Sequence, residues 1–111
     1  MNRVEGGNIL LLVVRNSDGN AILYNNVRGG GIVLSIVSGP LGANRIENNF
    51  VSASGADGIA VHAILGGSSF IGRNTSVENA GCDINDTAAS GSPQNTWTEN
   101  RFVKGCGAAT K

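Results

Sequence analysis

The stretch from Asn44 to Ile64 decides how this chain folds. It reads Asn-Arg-Ile-Glu-Asn-Asn-Phe-Val-Ser over residues 44–52 and Gly-Ala-Asp-Gly-Ile-Ala-Val-His-Ala-Ile over residues 55–64. Degraded copies of this unit recur from one end of the 111-residue chain to the other. Such recurrence is the signature of a repeat protein, in which each copy is one structural unit stacked on the next.

Three series of residues carry the repeat. The first consists of asparagines that follow one another at 23, 24, 25 and 26 residues. The second consists of large apolar residues three positions before an asparagine, and the third of isoleucines that open a further strand at spacings of 23, 27 and 25. In order, the series are Asn2, Asn25, Asn49, Asn74 and Asn100; Ile22, Ile46, Ile71 and Trp97; and Ile9, Ile32, Ile59 and Ile84. Each repeat therefore contains three short strands separated by turns.

This period decides between repeat architectures. A unit of 23 to 27 residues with three strands and no helix excludes Rossmann-like and leucine-rich units, which spend half their period on a helix. An all-β fold remains, the parallel β-helix, in which each repeat is one coil and coils stack about 4.8 Å apart. We predict one domain over residues 1–111 with four to five coils of three strands. The predicted coils are 2–24, 25–48, 49–73, 74–99 and 100–111.

Composition supports this prediction and argues against two classes of binding partner. Seventeen glycines, two prolines and 5% aromatic residues favour turns and short strands over long helices. The net charge is zero and no Lys/Arg cluster occurs, so neither nucleic acid nor a membrane is an expected partner. The apolar run 9–14 has six residues, too few for a signal peptide or a membrane span, and is predicted to be a buried strand. No targeting segment is visible.

Three segments resemble a known family. They are the pattern Asn-x-Ile-x-x-Asn-x-Val at 44–51, Asp-Gly-Ile-Ala-Val at 57–61, and Asn-Thr-Trp-Thr-Glu-Asn-Arg-Phe at 95–102. Together they resemble the right-handed parallel β-helix repeats of the pectin-lyase-like superfamily. That superfamily includes lyases, hydrolases, epimerases, phage tailspikes and surface proteins, so the resemblance indicates a fold more than an activity.

The resemblance implies a structural role for the asparagines. Asn25, Asn49, Asn74 and Asn100 would lie in the tight turn after the second series, in a left-handed backbone conformation, with amides hydrogen-bonded from coil to coil. The alternative is that the five asparagines form a row that binds a ligand.

The resemblance also places the strand that opens with Ile59 in the sheet beside the substrate groove. Alternation along that strand leaves Ala60 and His62 on the outer face. His62 is the only histidine and the candidate general acid or base, although an exposed bystander is the alternative. Stacking predicts two outer columns, Leu12, Ser35, His62 and Thr87, and Leu10, Val33, Ala60 and Asn85.

Part of this outer face is aliphatic. Leu10, Leu12, Val14 and Val33 would form an exposed patch, which another copy of the chain, a loop or the remainder of a longer β-helix is expected to cover. Neither end of the chain resembles the polar or helical cap that a solenoid needs. We therefore expect a C-terminal piece of a longer β-helix, with a self-associating short protein as the alternative.

Carboxylates suggest a metal site but no enzyme. Asp57 and Asp83 fall close together one coil apart, and Asp86 lies three residues further on, so their oxygens are candidate calcium ligands, although aspartates also favour turns. No other cofactor is indicated. The paired-carboxylate and Gly-His-Gly motifs of the β-helical hydrolases and the Asp-Pro-His motif of the epimerases are absent. Whether the chain is an enzyme stays open. The isolated chain is expected to be inactive, and an active one would resemble a polysaccharide lyase or glycoside hydrolase.

Two further pairs follow from the repeat length. Cys82 and Cys106 are 24 residues apart, one coil, so they are expected to lie over one another as a disulfide or as two stacked thiols. A disulfide would imply an oxidising compartment. Arg73 and Glu99 both precede a ladder asparagine and are expected to form a surface ion pair, whereas Arg45 has no recognisable partner.

Two functions remain open on these grounds. One is a carbohydrate-associated module of an exported or cell-surface protein, which binds or processes polysaccharide through the sheet that bears His62. The other is a structural or assembly segment, like a piece of a spike or adhesin, that forms oligomers through the aliphatic patch.

Overall fold

A computed structural model of the chain describes residues 2–13, 20–36, 44–63, 69–87 and 95–109. These ranges contain thirteen strands and no helix, so the all-β prediction is confirmed, and none of them holds a helix that could cross a membrane. The strands are β1 Asn2–Glu5, β2 Ile9–Val13, β3 Ala21–Leu23, β4 Asn25–Arg28, β5 Ile32–Ile36, β6 Arg45–Glu47, β7 Phe50–Ser52, β8 Ile59–Ala63, β9 Phe70–Gly72, β10 Thr75–Val77, β11 Ile84–Asp86, β12 Thr96–Thr98 and β13 Gly105–Gly107.

The strands form three parallel sheets, as predicted for a parallel β-helix. Sheet A has the order β1-β4-β7-β10, sheet B the order β2-β5-β8-β11-β13, and sheet C the order β3-β6-β9-β12. The chain visits A, B and C in turn, so each of the first four predicted repeats contains three strands. The stack is slightly shorter than predicted, because sheets A and C have only three coil-to-coil steps and the final repeat adds only β13.

The predicted series lie in register. In sheet B the isoleucines at the start of β2, β5, β8 and β11 pair in succession, and in sheet C Ile22, Ile46, Ile71 and Trp97 do the same. Side chains at these positions fill the interior, and burial of each aliphatic one contributes about 2 kcal/mol. The buried core consists of Ile22, Val27, Ile32, Leu34, Ile46, Val51, Ile59, Val61, Ile71, Ile84, Trp97 and Ala109.

Turns between sheets A and B absorb the variation in repeat length. The first two coils connect these sheets with three residues, 6–8 and 29–31, whereas the next two use six, 53–58 and 78–83. The three extra residues explain the spacing of 27 between Ile32 and Ile59. They also provide the positions of Asp57, Asn79 and Asp83.

The asparagine ladder is present, with one correction. The Nδ2 atoms of Asn2, Asn25, Asn49 and Asn74 each donate to the Oδ1 atom of the asparagine in the next coil, at 3.0 Å. The left-handed residue is not the asparagine but its predecessor, namely Tyr24, Asn48, Arg73 and Glu99, whose φ angles lie between 53° and 56°. The asparagine cannot take that conformation because its own N–H must point along the stack, as Asn49 N does toward Asn74 Oδ1 at 2.9 Å.

A second, shorter ladder was not predicted. Asn20 donates from both N and Nδ2 to Asn44 Oδ1, at 3.2 and 3.0 Å, and Ser69 N donates to Asn95 Oδ1 at 3.1 Å. These residues precede the strands of sheet C at spacings of 24, 25 and 26. Ser69 interrupts the row, and its buried hydroxyl has no hydrogen-bond partner among the described residues.

Candidate functional site

His62 occupies its predicted place on the outer face of sheet B. It pairs in register with Ser35, which pairs with Leu12, and its ring is exposed. Its Nδ1 atom lies 3.0 Å from Thr87 Oγ1, and that hydroxyl donates to Val61 O at 3.4 Å. Within the described ranges no carboxylate is hydrogen-bonded to the imidazole. His62 is therefore held by a hydroxyl, without the acidic group that orients a catalytic base.

The neighbouring outer column also has the predicted register, Leu10, Val33, Ala60 and Asn85, and Cys106 follows it without having been predicted there. Leu10 is 64% exposed, whereas Val33 is half-buried and Ala60 only 1% exposed. A methyl group between two larger stacked neighbours is shielded from water even on an outer face. Of the predicted aliphatic patch, the Leu12 side chain and all of Val14 lie outside the described residues.

The three aspartates proposed as calcium ligands do not form a common site. Asp57 accepts from Cys82 N at 2.8 Å and from Asn85 Nδ2 at 2.9 Å. Asp86 accepts from Trp97 Nε1 at 2.7 Å and Asn95 Nδ2 at 3.2 Å. In the part of the chain that the structure describes, no three His, Cys, Asp or Glu side chains are close enough to share a metal ion. The calcium hypothesis does not fit this geometry, because N–H donors occupy the carboxylate oxygens.

Asp83 fastens the last coil to the one before it. Its Oδ2 atom accepts from the backbone N–H groups of Val103 and Lys104, both at 3.0 Å, and its Oδ1 atom accepts from Asn79 Nδ2 at 2.9 Å. Burial raises the pKa of Asp83, but the N–H groups of Lys104, Asn79 and Val103 together lower it more. The pKa therefore lies below its ordinary value, and the carboxylate is a structural anion.

Asp86 has an interior role that sequence reasoning missed. It pairs with Val61 in sheet B, on the inward column, and is 2% exposed. Trp97 replaces an isoleucine in the series of sheet C, and a buried indole N–H needs an acceptor. The signal was in the sequence: Asp86 follows Ile84 by two residues, so alternation directs both side chains inward.

The predicted cysteine pair is a disulfide, with Cα atoms 6.0 Å apart. The register differs from the prediction. Cys106 lies beside Asn85, not over Cys82, because only three residues lie between Arg101 and Gly105, whereas eight lie between their partners Thr75 and Ile84. A spacing of one period does not ensure equal positions when a turn is shortened.

Sheet C carries a cluster of ionic groups on its outer side. The buried Glu47 accepts from Arg45 Nε at 2.8 Å and from Arg73 Nη2 at 2.9 Å, so Arg45 does have a partner. The hydrogen bond from Arg45 lowers the pKa of Glu47, burial opposes it, and the charge of Arg45 and contact with Arg73 lower it further. The predicted pair of Arg73 and Glu99 is present but longer, at 3.8 Å.

Two exposed aromatic rings mark a surface that the sequence reading did not single out. Tyr24 is 58% exposed and Phe50 44% exposed. Both line a depression of about 460 Å³, and Phe50 also lines an adjoining one of about 420 Å³. We call this surface the Tyr24–Phe50 groove. Its lining residues are Arg3, Glu5, Tyr24, Asn25, Asn26, Arg28, Asn48, Asn49, Phe50, Ser52, Ala53, Arg73, Thr75, Val77 and Glu78.

The fold explains why these rings face outward. Tyr24 is the left-handed residue before Asn25, with a φ of 54°, and the ladder fixes that turn. Phe50 lies on the outer face of sheet A, between Asn26 in β4 and Thr75 in β10. Each ring therefore has polar neighbours, and neither belongs to the hydrophobic core.

Comparisons with known proteins add no information about the site. No protein-family model, no curated protein and no solved structure matches this chain.

Proposed function

We propose that this chain is a polysaccharide-binding β-helix module of an exported or cell-surface protein, and that it holds a glycan without cleaving it. The observation that carries the proposal is the Tyr24–Phe50 groove, in which two exposed aromatic rings lie among amide, hydroxyl and guanidinium groups. The resemblance to pectin-lyase-like repeats agrees with this function, since many of those proteins act on polysaccharides.

The chemistry of the groove suits a sugar. A pyranose ring has an apolar C–H face, which packs on an aromatic ring, and a rim of hydroxyls, which pair with amides. Tyr24 and Phe50 supply the rings, and Asn26 and Asn48 supply amides beside them. Because the ladder and the sheet hold the backbone at these positions, little ordering is needed on binding.

The same geometry argues against cleavage. Glycoside hydrolysis requires two carboxyl groups that face the bond to be broken, and elimination requires a free base. Of the two carboxylates that line the groove, Glu5 is paired with Arg3, which leaves Glu78 without a second free carboxylate among the described lining residues. The buried carboxylates of Glu47, Asp83 and Asp86 are all engaged by N–H donors. His62 lies on another sheet, in a column next to the one that contains Leu10.

Export is supported by the Cys82–Cys106 disulfide, which leaves no free cysteine in the chain. Structural disulfides persist in oxidising compartments such as the periplasm or the cell exterior.

The test is a binding measurement on the intact chain. We would screen polysaccharides by affinity electrophoresis and quantify hits by calorimetry. We expect Tyr24→Ala and Phe50→Ala each to weaken binding at least tenfold, the effect of losing about 1.4 kcal/mol. Leu10→Ala, an equally exposed apolar residue on sheet B, is the matched control and should bind normally.

Two results would contradict the site or the function. Unchanged affinity in both aromatic variants, with loss in His62→Ala, would move the glycan to sheet B. Release of unsaturated or reducing ends from a bound polysaccharide would make the chain an enzyme. Thermal unfolding of each variant would check that the fold persists.

The second candidate is assembly through the outer face of sheet B, favoured by the 64% exposure of Leu10 beside Val33. Sedimentation velocity over a range of concentrations tests it. An oligomer that dissociates in Leu10→Glu would support assembly, and a monomer at every concentration would exclude it.

A further inference from the structure

We infer that the Tyr24–Phe50 groove takes a neutral polysaccharide and not a polyuronate or sulfated one. This inference rests on the proposed function and names the ligand class of the same site. It follows from the charges that line the groove, from the polar groups left available for a ligand, and from the shape of the two depressions.

The charges of the groove are balanced. Arg3, Arg28 and Arg73 line it, together with Glu5 and Glu78. Arg3 forms an ion pair with Glu5. Arg73 is bound by two carboxylates outside the lining, Glu47 at 2.9 Å and Glu99 at 3.8 Å. Glu47 also pairs with Arg45 at 2.8 Å. Four guanidinium groups therefore face four carboxylates in and beside the groove, so an anionic polymer would meet no net positive charge.

Among the described residues no three acidic, histidine or cysteine side chains are grouped for a metal ion that would add positive charge. A polyuronate carboxylate in the groove would lose water and gain the repulsion of Glu5 and Glu78. Arg28 is the one guanidinium group of the lining without an ion pair among the described residues, and one exposed cation offsets little of that desolvation.

Neutral hydrogen-bonding groups remain available. Asn25 and Asn49 direct their side chains into the ladder and are already paired. Asn26 is exposed and Asn48 half-exposed, and neither side chain is hydrogen-bonded to another described residue. An amide offers two donors and an acceptor, which suits adjacent sugar hydroxyls. Ser52 and Thr75 add hydroxyls on either side of Phe50.

The shape favours a chain over a single sugar. The two depressions share Asn26 and Phe50, so one linear ligand can cross Phe50 and occupy both. Each depression lies within the size range of pockets that hold small organic ligands. A monosaccharide would occupy only one of them.

The experiment compares polymer classes and salt concentrations. We would measure binding of the intact chain to neutral glucans, mannans and xylans, and to polygalacturonate, alginate and a sulfated glycan. We expect at least a tenfold preference for a neutral polymer, with affinity unchanged when salt rises enough to screen surface charges. Asn26→Ala should weaken neutral binding severalfold.

A charge variant tests the reason for the preference. Glu5→Gln combined with Glu78→Gln removes both carboxylates of the lining, which frees Arg3 from its ion pair and leaves it beside the unpaired Arg28. This variant should gain salt-sensitive binding to polygalacturonate and keep its affinity for the neutral polymer. Asp57→Asn removes a carboxylate that lies outside the lining and is hydrogen-bonded to Cys82 N and Asn85, so it is the control and should gain nothing.

The outcomes separate the two proposals. Binding of an acidic polymer that is preferred by the native chain, and lost in Tyr24→Ala, would overturn the neutral class but keep the groove. Glycan binding that is unchanged in Tyr24→Ala and Phe50→Ala would overturn both proposals. Absence of binding to any of the six polymer types would also overturn both.

Discussion

The two ends of the solenoid differ in how their core is covered. At the N-terminal end, Val4 and Ile9 are only half-buried, although the residues stacked on them, Val27 and Ile32, are fully buried. At the C-terminal end, residues 102–109 fold across the last coil, and Ala109 is completely buried. Stacking alone therefore does not shield the core at an end, because the last side chains of each column face water unless a segment crosses them.

Specific contacts hold the crossing segment in place. It is connected to the coil before by the Cys82–Cys106 disulfide and by the hydrogen bonds that Asp83 accepts from two backbone N–H groups. A further hydrogen bond runs from Ala108 N to Asp86 O at 3.1 Å. The first coil has no equivalent among the described residues. We therefore expect exchange of backbone amides to be faster in β1 than in the last coil.

The largest effect should come from the disulfide. Cys82→Ser combined with Cys106→Ser should lower the free energy of unfolding by about 3 kcal/mol, since the bond closes a loop of about one coil in the unfolded chain. Urea unfolding measures this loss, and hydrogen exchange of residues 102–109 should be faster in the double variant than in the native chain. A reductant should destabilise the native chain and leave the double variant unchanged. Equal stability with and without the bond would contradict this reading of the end.

Asp83 provides the next test. Asp83→Asn should lower the free energy of unfolding by about 2 kcal/mol at pH 7, because charged hydrogen bonds to Val103 N and Lys104 N become neutral or are lost. Glu78→Gln in the same turn, where the side chain is exposed, is a matched control and should stay within about 0.5 kcal/mol.

The pH dependence of stability tests whether Asp83 is ionised in the folded chain. Since the folded-state pKa of Asp83 is lowered, its contribution is fully present above the unfolded-state pKa of about 3.9 and is lost as the pH falls through the folded-state pKa. Glu47 acts in the same direction, so the difference between native chain and variant isolates Asp83. That difference should shrink in acid. A constant difference from pH 7 to pH 2 would argue against an ionised Asp83.

The asparagine ladder tests the difference in protection between a middle coil and the first coil. Asn49→Ala should lower the free energy of unfolding by about 2 kcal/mol, since Asn25 loses its acceptor and Ile22 O its donor. Asn2→Ala, in the exposed first coil, should lower it by only about 0.5 kcal/mol. Chemical unfolding of both variants decides, and equal losses would mean that the first coil is as well protected as the third.

The smallest expected effect is a gain. Ser69→Asn should raise the free energy of unfolding by about 1 kcal/mol, because the amide completes the second ladder between Asn44 and Asn95. Ser69→Ala, which only removes the unpartnered hydroxyl, is the control. If the alanine variant gains as much as the asparagine variant, the benefit comes from losing the hydroxyl and not from the ladder.

The candidate site was less predictable than the fold, and Tyr24 shows why. Its neighbour Asn25 was recognisable because its equivalents recur at one step per coil. Tyr24, Asn48, Arg73 and Glu99 share one backbone conformation but no chemistry, so no pattern marks them. Which of them lies at a binding surface depends on the outer columns beside them. In sheet A, Phe50 lies next to Asn26 on the adjacent strand.

By itself, the sequence determined the parallel β-helix, the register of sheets B and C, and the main asparagine ladder. These follow from the period alone, because identical positions in successive coils must touch at the strand spacing. Only the tertiary structure decided which residue turns the corner, how Cys106 meets Cys82, what Asp57, Asp83 and Asp86 bind, and where two aromatic rings meet. Those features depend on turns of unequal length and on contacts between different columns, which no repeat period encodes.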